Sequence, residues 1–331
     1  MNRREWITSS GLALLAWNTP FIVRSNIENM EKKLHFDVII VGGSYAGLSA
    51  AMALGRSLRN VLVIDSGLPC NRFTPHSHNF ITHDGSIPKD ITDRARSQVL
   101  AYSTVAFCSG RVISAHRATD GYSIQVEEGT LYTARKLVLA TGVRDLLPDI
   151  PGFAESWGKS LIHCPYCHGY EFREKKTGII VNGEKALHLA SLVNNLTDNV
   201  TILTNGSADF SEEQTAKLIS HGIGIEQEKV VSIEQVNGNI HGVTLADGRT
   251  LDFEALYAAP SFEQHSGIYS DLGCELTEFG HIKVDQFQQT TVSGVFACGD
   301  CSGMLRSVAY AVATGNIAGA MVNHQMVQDD F

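Results

Sequence analysis

The stretch FDVIIVGGSYAGLSAAMALGRSL at residues 36–58, with NVLVIDSG at 60–67, decides the fold. FDVIIVGG is apolar at consecutive rather than alternate positions, the pattern of a strand covered on both faces in a parallel sheet. SYAGLSAAMALGRSL reads as a helix of small and apolar residues, and NVLVIDSG as a second buried strand. Strand, glycine turn, helix and strand in this order form the βαβ unit that places a dinucleotide at a helix N-terminus. The turn Gly42-Gly43-Ser44-Tyr45-Ala46-Gly47 is the candidate phosphate cradle. It keeps the first and third glycines of GxGxxG and puts Ser44 at the second, adding a Cβ where pyrophosphate comes close. Asp65, at the end of the second strand, stands where a ribose-binding acid belongs. The competing reading is a glycine-rich turn without a ligand.

A second unit of the same type starts at Lys176, with GIIVNG as strand, EKALHLASLVNNL as helix and NVTILTNG as strand. Between the two lie a loop rich in Pro, His, Ser and Asn from Cys70 to Asp93, and a helix expected over Ile91 to Tyr102. Alternating segments (VISAHRA, YSIQVEE, TLYTARKLVLA) read as a small antiparallel sheet. More β segments run from Glu226 to Leu256, including the hairpin-like LADGRTLDF. The last helix, SVAYAVATGNIAGAMVNHQM, is small and apolar most of the way round and is expected to be buried. VSGVFACGD returns to the pattern of the first unit. The fold class is α/β, with two Rossmann-like, three-layer ββα domains. The smaller one (149–251) is inserted into a discontinuous larger one (34–148 and 252–328).

The 331 residues suffice for two domains. A net charge of -9 argues against a nucleic-acid partner, because no basic field collects phosphates. Arg3 and Arg4 followed by GLALLAW within residues 1–30 have the shape of a twin-arginine export signal. The run is too short to span a bilayer, so stable membrane insertion is not expected. Two localisations stay open: exported or periplasmic if this segment is a signal, cytoplasmic if Met30 is the working start.

ATG at 140–142 and VFACGD at 295–300 match short flavoprotein signatures in kind and order. Thr141, Gly142, Gly299 and Asp300 therefore join the cofactor candidates, with Asp300 placed to hold a ribityl chain. Arg306, Ser307, Val308 and Ala309 would open a helix near the flavin ring, where a helix N-terminus favours negative charge. Seven cysteines is an odd count, so spacing matters more than number. Cys164-Pro165-Tyr166-Cys167 admits three readings. A structural disulfide closes so short a loop that it removes little chain entropy. A zinc site would need Cys298 and Cys301, over a hundred residues away and inside the flavin signature, which is not ribbon spacing; no metal is expected. A redox dithiol uses one thiolate to attack a disulfide and the other to resolve the intermediate. His168, next to Cys167, is a proton donor and acceptor near neutral pH, or else a turn cap.

GGSYAGLSAA, ATGVRDLLPDIPG, CPYCHGYE and VFACGD, in this order, resemble the low-molecular-weight thioredoxin reductases over nearly all of 34–328. CPYCHGYE is similar to a branch that includes flavin-dependent dithiol oxidases. The resemblance implies FAD as cofactor and a homodimer. It implies that Cys164 exchanges with substrate, that Cys167 faces the flavin, and that His168 handles protons. It also implies a flavin contact at Asn79, in HSHNF, and completes the cofactor set with Ser66 and Val112. His76 and His78 in that segment belong to a packed loop over the flavin rather than to a metal site.

The resemblance fails at one place. Where the family binds NAD(P)H through GxGxxA, this chain has Val181-Asn182-Gly183-Glu184-Lys185-Ala186. Where basic residues meet the 2′-phosphate it has Thr204-Asn205-Gly206-Ser207-Ala208-Asp209. NAD(P)H binding is expected to be poor. The favoured function is FAD-dependent oxidation of a dithiol, small molecule or thioredoxin-like protein, with oxygen or another acceptor taking the electrons. The alternatives are disulfide reduction driven by NADPH or another reductant, and a flavin-bound sensor without turnover.

Overall fold

The computed structural model describes residues 34–331. The expected signal at 1–30 lies outside them. The elements in chain order begin β1 (His35–Val41), α1 (Tyr45–Arg56), β2 (Val61–Asp65), α2 (Pro88–Leu100), β3 (Val105–Ser109), β4 (Val112–Ala118), β5 (Gly121–Val126), β6 (Leu131–Leu139) and β7 (Val143–Asp145). Then follow α3 (Phe153–Ser156), β8 (Leu161–Ile162), α4 (Pro165–His168), β9 (Thr177–Ile180), α5 (Glu184–Asn194), β10 (Val200–Leu203), α6 (Glu212–Ser220) and β11 (Gly224–Glu226). Last come β12 (Val230–Val236), β13 (Asn239–Leu245), β14 (Thr250–Asp252), β15 (Ala255–Ala258), β16 (Phe262–Gln264), α7 (Ile268–Asp271), β17 (Val295–Ala297) and α8 (Val308–Asp330).

The first sheet runs β3-β2-β1-β6-β5-β4, with β17 also on β6. Strands β3, β2, β1, β6 and β17 are parallel, as the unbroken apolar runs require. The three alternating segments do not form a separate sheet. The first half of β6 pairs antiparallel with β5, and its second half, Leu137–Leu139, pairs parallel with β17 in the middle of the main sheet. Continuous burial of Leu137, Val138 and Leu139 is the reason. Pro88 starts α2 earlier than expected, because a proline costs nothing at the first helical turn.

The second sheet is β11-β10-β9-β15-β8, all parallel. It contains β15, so Ala255–Ala258 belong to this unit and the boundary expected at 251/252 falls too early. A three-stranded sheet (β12-β13-β14) lies alongside in sequence, and β7 pairs with β16 where the chain leaves and re-enters the first unit.

Helix α8 packs on α1. A Cβ at Gly315 would come within 2.1 Å of the Ala46 carbonyl oxygen, so the close crossing requires glycine. Only one face of α8 is buried, through Ala311, Thr314, Ala318, Val322 and Met326. Ala313, Ile317, Ala320 and Val327 are exposed, against the expectation of burial all round. Among the described residues no helix is long and apolar enough to cross a membrane.

Candidate active site

The glycine turn is fixed by backbone crowding. A Cβ at Gly47 would sit 1.8 Å from the Gly42 carbonyl oxygen, and one at Gly42, where φ is +109°, 2.1 Å from that of Ala140. The Gly43 N–H donates to Asp65 Oδ1 at 3.0 Å, so the acid at the end of β2 holds the turn in place. Ser44 is the N-cap residue of α1, and its hydroxyl makes no capping bond.

This turn opens on a cleft of about 830 Å³, at the upper end of the range for small-molecule sites. Gly42, Ser44, Tyr45, Ala46, Asp65, Ser66, Val112, Thr141, Gly142, Gly299, Asp300, Arg306, Ser307 and Val308 all line it. Gly43 and Gly47 support the turn from behind. Besides these two glycines, two further expected residues, Ala309 and Asn79, do not line the cleft. Ala309 is exposed, because the helix turns about 100° per residue and carries the second residue of α8 away; Ala311 takes the inward place. Asn79 instead lines an adjoining cavity of about 300 Å³, with its N–H bonded to Asp84 Oδ1 at 2.8 Å. Ser307 is the N-cap of α8 and accepts the Tyr310 N–H at 3.1 Å.

Cys164, Cys167 and His168 line the same cleft. Cys164 precedes α4 and Cys167 lies within it, so one helical turn brings the two sulfurs together. The Cys167 thiol donates to Cys164 Sγ at 2.8 Å. That bond, helped by the Tyr166 and Cys167 amides and opposing the cost of burial, holds the Cys164 thiol below its ordinary range. The same bond and burial push Cys167 up. The pair is therefore polarised, with Cys164 as the nucleophile. His168 Nε2 donates to the His76 carbonyl at 3.2 Å, which leaves Nδ1 as the acceptor nitrogen. Burial keeps His168 below the usual histidine range, hence neutral.

Several residues here carry no local signature. Asp145 grips Arg306. His163 lines the cleft, and burial followed by the Arg306 charge pulls its pKa down to about 4. The Cys70 thiol donates to Asp300 Oδ2 at 3.4 Å. The second CxxC is fully buried, with Cys301 Sγ donating to the Leu139 and Cys298 carbonyls, and burial raises both thiols. Both cysteines sit in the core, and Cys298 also lines the cleft. Among the described residues no cluster of His, Cys, Asp and Glu is placed to hold a metal ion.

The second turn is closed by its own side chains. Asn182 Oδ1 accepts the N–H groups of Gly183 and Asp209, each at 2.9 Å, and Asn182 Nδ2 donates to the Ser207 carbonyl at 2.9 Å. Gln214 Nε2 donates to Glu184 Oε1 at 2.6 Å.

A glycine-turn cleft lined by flavoprotein signatures and floored by a polarised dithiol defines a flavin-type disulfide oxidoreductase. Residues 36–315 match the model of the pyridine nucleotide-disulphide oxidoreductases, and the chain belongs to that family, among its thioredoxin reductase-like members. It is 35% identical over 304 residues to thioredoxin reductase tcpT of Claviceps purpurea (strain 20.1), covering 88% of this chain and 95% of that one. A solved oxidoreductase of Agrobacterium tumefaciens is similar at 39% identity and a TM-score of 0.83, covering 88% of this chain and 99% of the other. The structure of HlmI is similar at 31% identity and 0.85, over 89% and 94%. The cleft's glycines, Asp65, Asp300 and volume fit FAD, the cofactor family membership implies.

Proposed function

We propose that this protein oxidises dithiols, using the Cys164/Cys167 pair as the exchange centre beside FAD. The observation that carries the direction is the closed second turn. The Gly183 N–H, the kind of amide a nucleotide pyrophosphate would take, is already occupied by Asn182, and Asp209 Oδ2 lies 3.1 Å from where a Cβ on Gly183 would be. A phosphate entering there meets fixed acceptors and the carboxylates of Glu184 and Asp209.

In this reading a substrate thiolate attacks Cys164 Sγ of the Cys164–Cys167 disulfide, forming a mixed disulfide and freeing Cys167. The second substrate thiol then displaces Cys164, so one S–S bond forms for one broken. His168 Nδ1 takes the proton of each attacking thiol and returns it to the departing sulfur. Bound FAD would supply a two-electron acceptor for the reduced pair, with dioxygen or another acceptor as the final electron sink. Gly42–Gly47, Asp65, Ser66, Val112, Thr141, Gly142, Asp300 and Arg306–Val308 would hold it.

Anaerobic mixing with a dithiol, NADPH or NADH, followed by flavin absorbance, tests the direction. Bleaching by dithiol and recovery with peroxide on admitting air is expected. Rapid bleaching by NADPH would favour the reductase that the relatives' names suggest, and bleaching by neither would favour the sensor. We include a homodimer in the reading, supported by the exposed small and apolar face of α8; light scattering giving one-chain mass would remove it.

A further inference from the structure

Cys167 and His78 line both the main cleft and the outer cavity of about 300 Å³. The dithiol therefore reaches that cavity through Cys167, and His78 is the histidine common to both spaces. His78 stands edge-on to His168, ring centroids 6.1 Å apart at 90°. Its Nδ1 lies 3.6 Å from Asp84 Oδ1 and its Nε2 3.6 Å from Glu171 Oε1.

The two histidines have opposite surroundings. His168 is half-buried, its Nε2–H is committed to a carbonyl, and a proton arriving at Nδ1 creates a cation that partial burial disfavours. It accepts protons but holds them badly. At His78 an imidazolium has a carboxylate at each nitrogen. The carboxylates themselves reach solvent, with side-chain exposure of 70% for Asp84 and 37% for Glu171 against 20% for His78.

We propose that His78 carries protons between the Cys164/Cys167 dithiol and solvent, receiving them from the His168 side through water in the main cleft, which both rings line, and releasing them on the outer-cavity side at Glu171 and Asp84. Oxidation of the two thiols breaks two S–H bonds, forms one S–S bond and yields two electrons and two protons. The electrons go to the bound flavin, and protons the flavin does not take need this exit. The groups facing His78 are His76 and Asp84 of its own loop, Cys167 and His168 of α4, and Glu171 in the turn after it; Asn79, Tyr166 and Tyr170 complete the cavity wall. His78 acts through His168, so it is a positioning residue for proton transfer. The proposal rests on the thiol–disulfide reading above but not on its direction.

The test follows flavin reduction by dithiothreitol in the holoprotein across the thiol titration range. H78F is expected to slow reduction by about 10²-fold, the low end for a lost acid–base group, and added imidazole to restore the rate. Alkylation of Cys164 by iodoacetamide should keep its wild-type pH profile. A wild-type rate, slowness that imidazole does not relieve, or an alkylation profile shifted along with the rate would each overturn the proposal. H78Q keeps a polar side chain without a titrating nitrogen and decides the matter if H78F fails to fold. If NADPH rather than dithiol bleaches the wild type, the direction is wrong, and the same comparison is made with NADPH and an aromatic disulfide. A wild type reduced by neither overturns both readings.

Discussion

Arg306 and Asp145 meet through two parallel bonds, Nη1 to Oδ1 at 2.6 Å and Nη2 to Oδ2 at 3.0 Å, with side-chain exposures of only 13% and 11%. The same guanidinium places Nε 3.7 Å from Asp300 Oδ2, so one cation lies between two carboxylates. The pair ties the end of β7 to the segment before α8, and the Arg306 carbonyl lies 4.0 Å from Cys167 Sγ.

Removing Asp145 should therefore damage more than stability. Breaking a buried ion pair from one side typically costs about 3–5 kcal/mol, so D145A is expected to lower the thermal midpoint by several degrees. It should also weaken flavin retention, because Arg306 then turns fully to Asp300. Visible absorbance after gel filtration reports the second effect. A variant that melts and holds flavin like the wild type would show the pair to be incidental.

The cradle gives a paired prediction. G47A forces a Cβ to within 1.8 Å of a backbone oxygen, a contact no side-chain rotation relieves, and should give colourless or insoluble protein. S44G restores the family's second glycine at a position whose hydroxyl caps nothing. It should stay yellow and bind flavin at least as tightly. Flavin titration of the unfolded-and-rebuilt proteins measures both.

What was legible in the sequence was local. The glycine turn, Asp65, the cysteine spacing and His168 sit in short segments whose chemistry is written in adjacent letters, and the cleft contains them. The Asp145–Arg306 pair joins residues 161 positions apart, and no periodicity marks such a partner. In the sequence His78 reads only as a loop residue, because Asp84 and Glu171 reach it from different turns. Helix α8 misled for a different reason. Alanine and glycine serve equally for the close crossing with α1 and for an outer face that no described residue covers. The unit boundary was misplaced because β15 is four buried residues, ALYA, whose apolar run suits either sheet.

Polarisation of the dithiol is measurable. Cys164 is held low chiefly by the Cys167 thiol donating to it. In C167A that donor is gone while burial remains, so the thiolate loses support and its pKa rises. Iodoacetamide alkylation of reduced protein should show the Cys164 profile moving to higher pH in C167A, with thiol-linked flavin reduction lost. An unmoved profile would mean that the amides alone set the acidity.

His163 supplies a pH dependence whose sign is fixed. Burial, then the charge of Arg306, brings its folded-state pKa to about 4, against about 6.5 in an unfolded chain. Between those values the unfolded state binds a proton that the folded state refuses, so stability rises with pH there. The contribution is fully present above about 6.5 and is lost as pH falls to about 4. At about 1.4 kcal/mol per pKa unit it amounts to at most about 3.5 kcal/mol. His168 is shifted the same way by burial, so H163Q should remove only part of the slope. The measurement is the urea midpoint of wild type and H163Q from neutral pH downwards. The difference between them should shrink by roughly this amount across the window, because the variant has no imidazole to charge on unfolding. Curves that stay parallel would mean that the His163 ring takes up its proton over the same pH range folded and unfolded, so that the cleft tolerates a second cation beside Arg306.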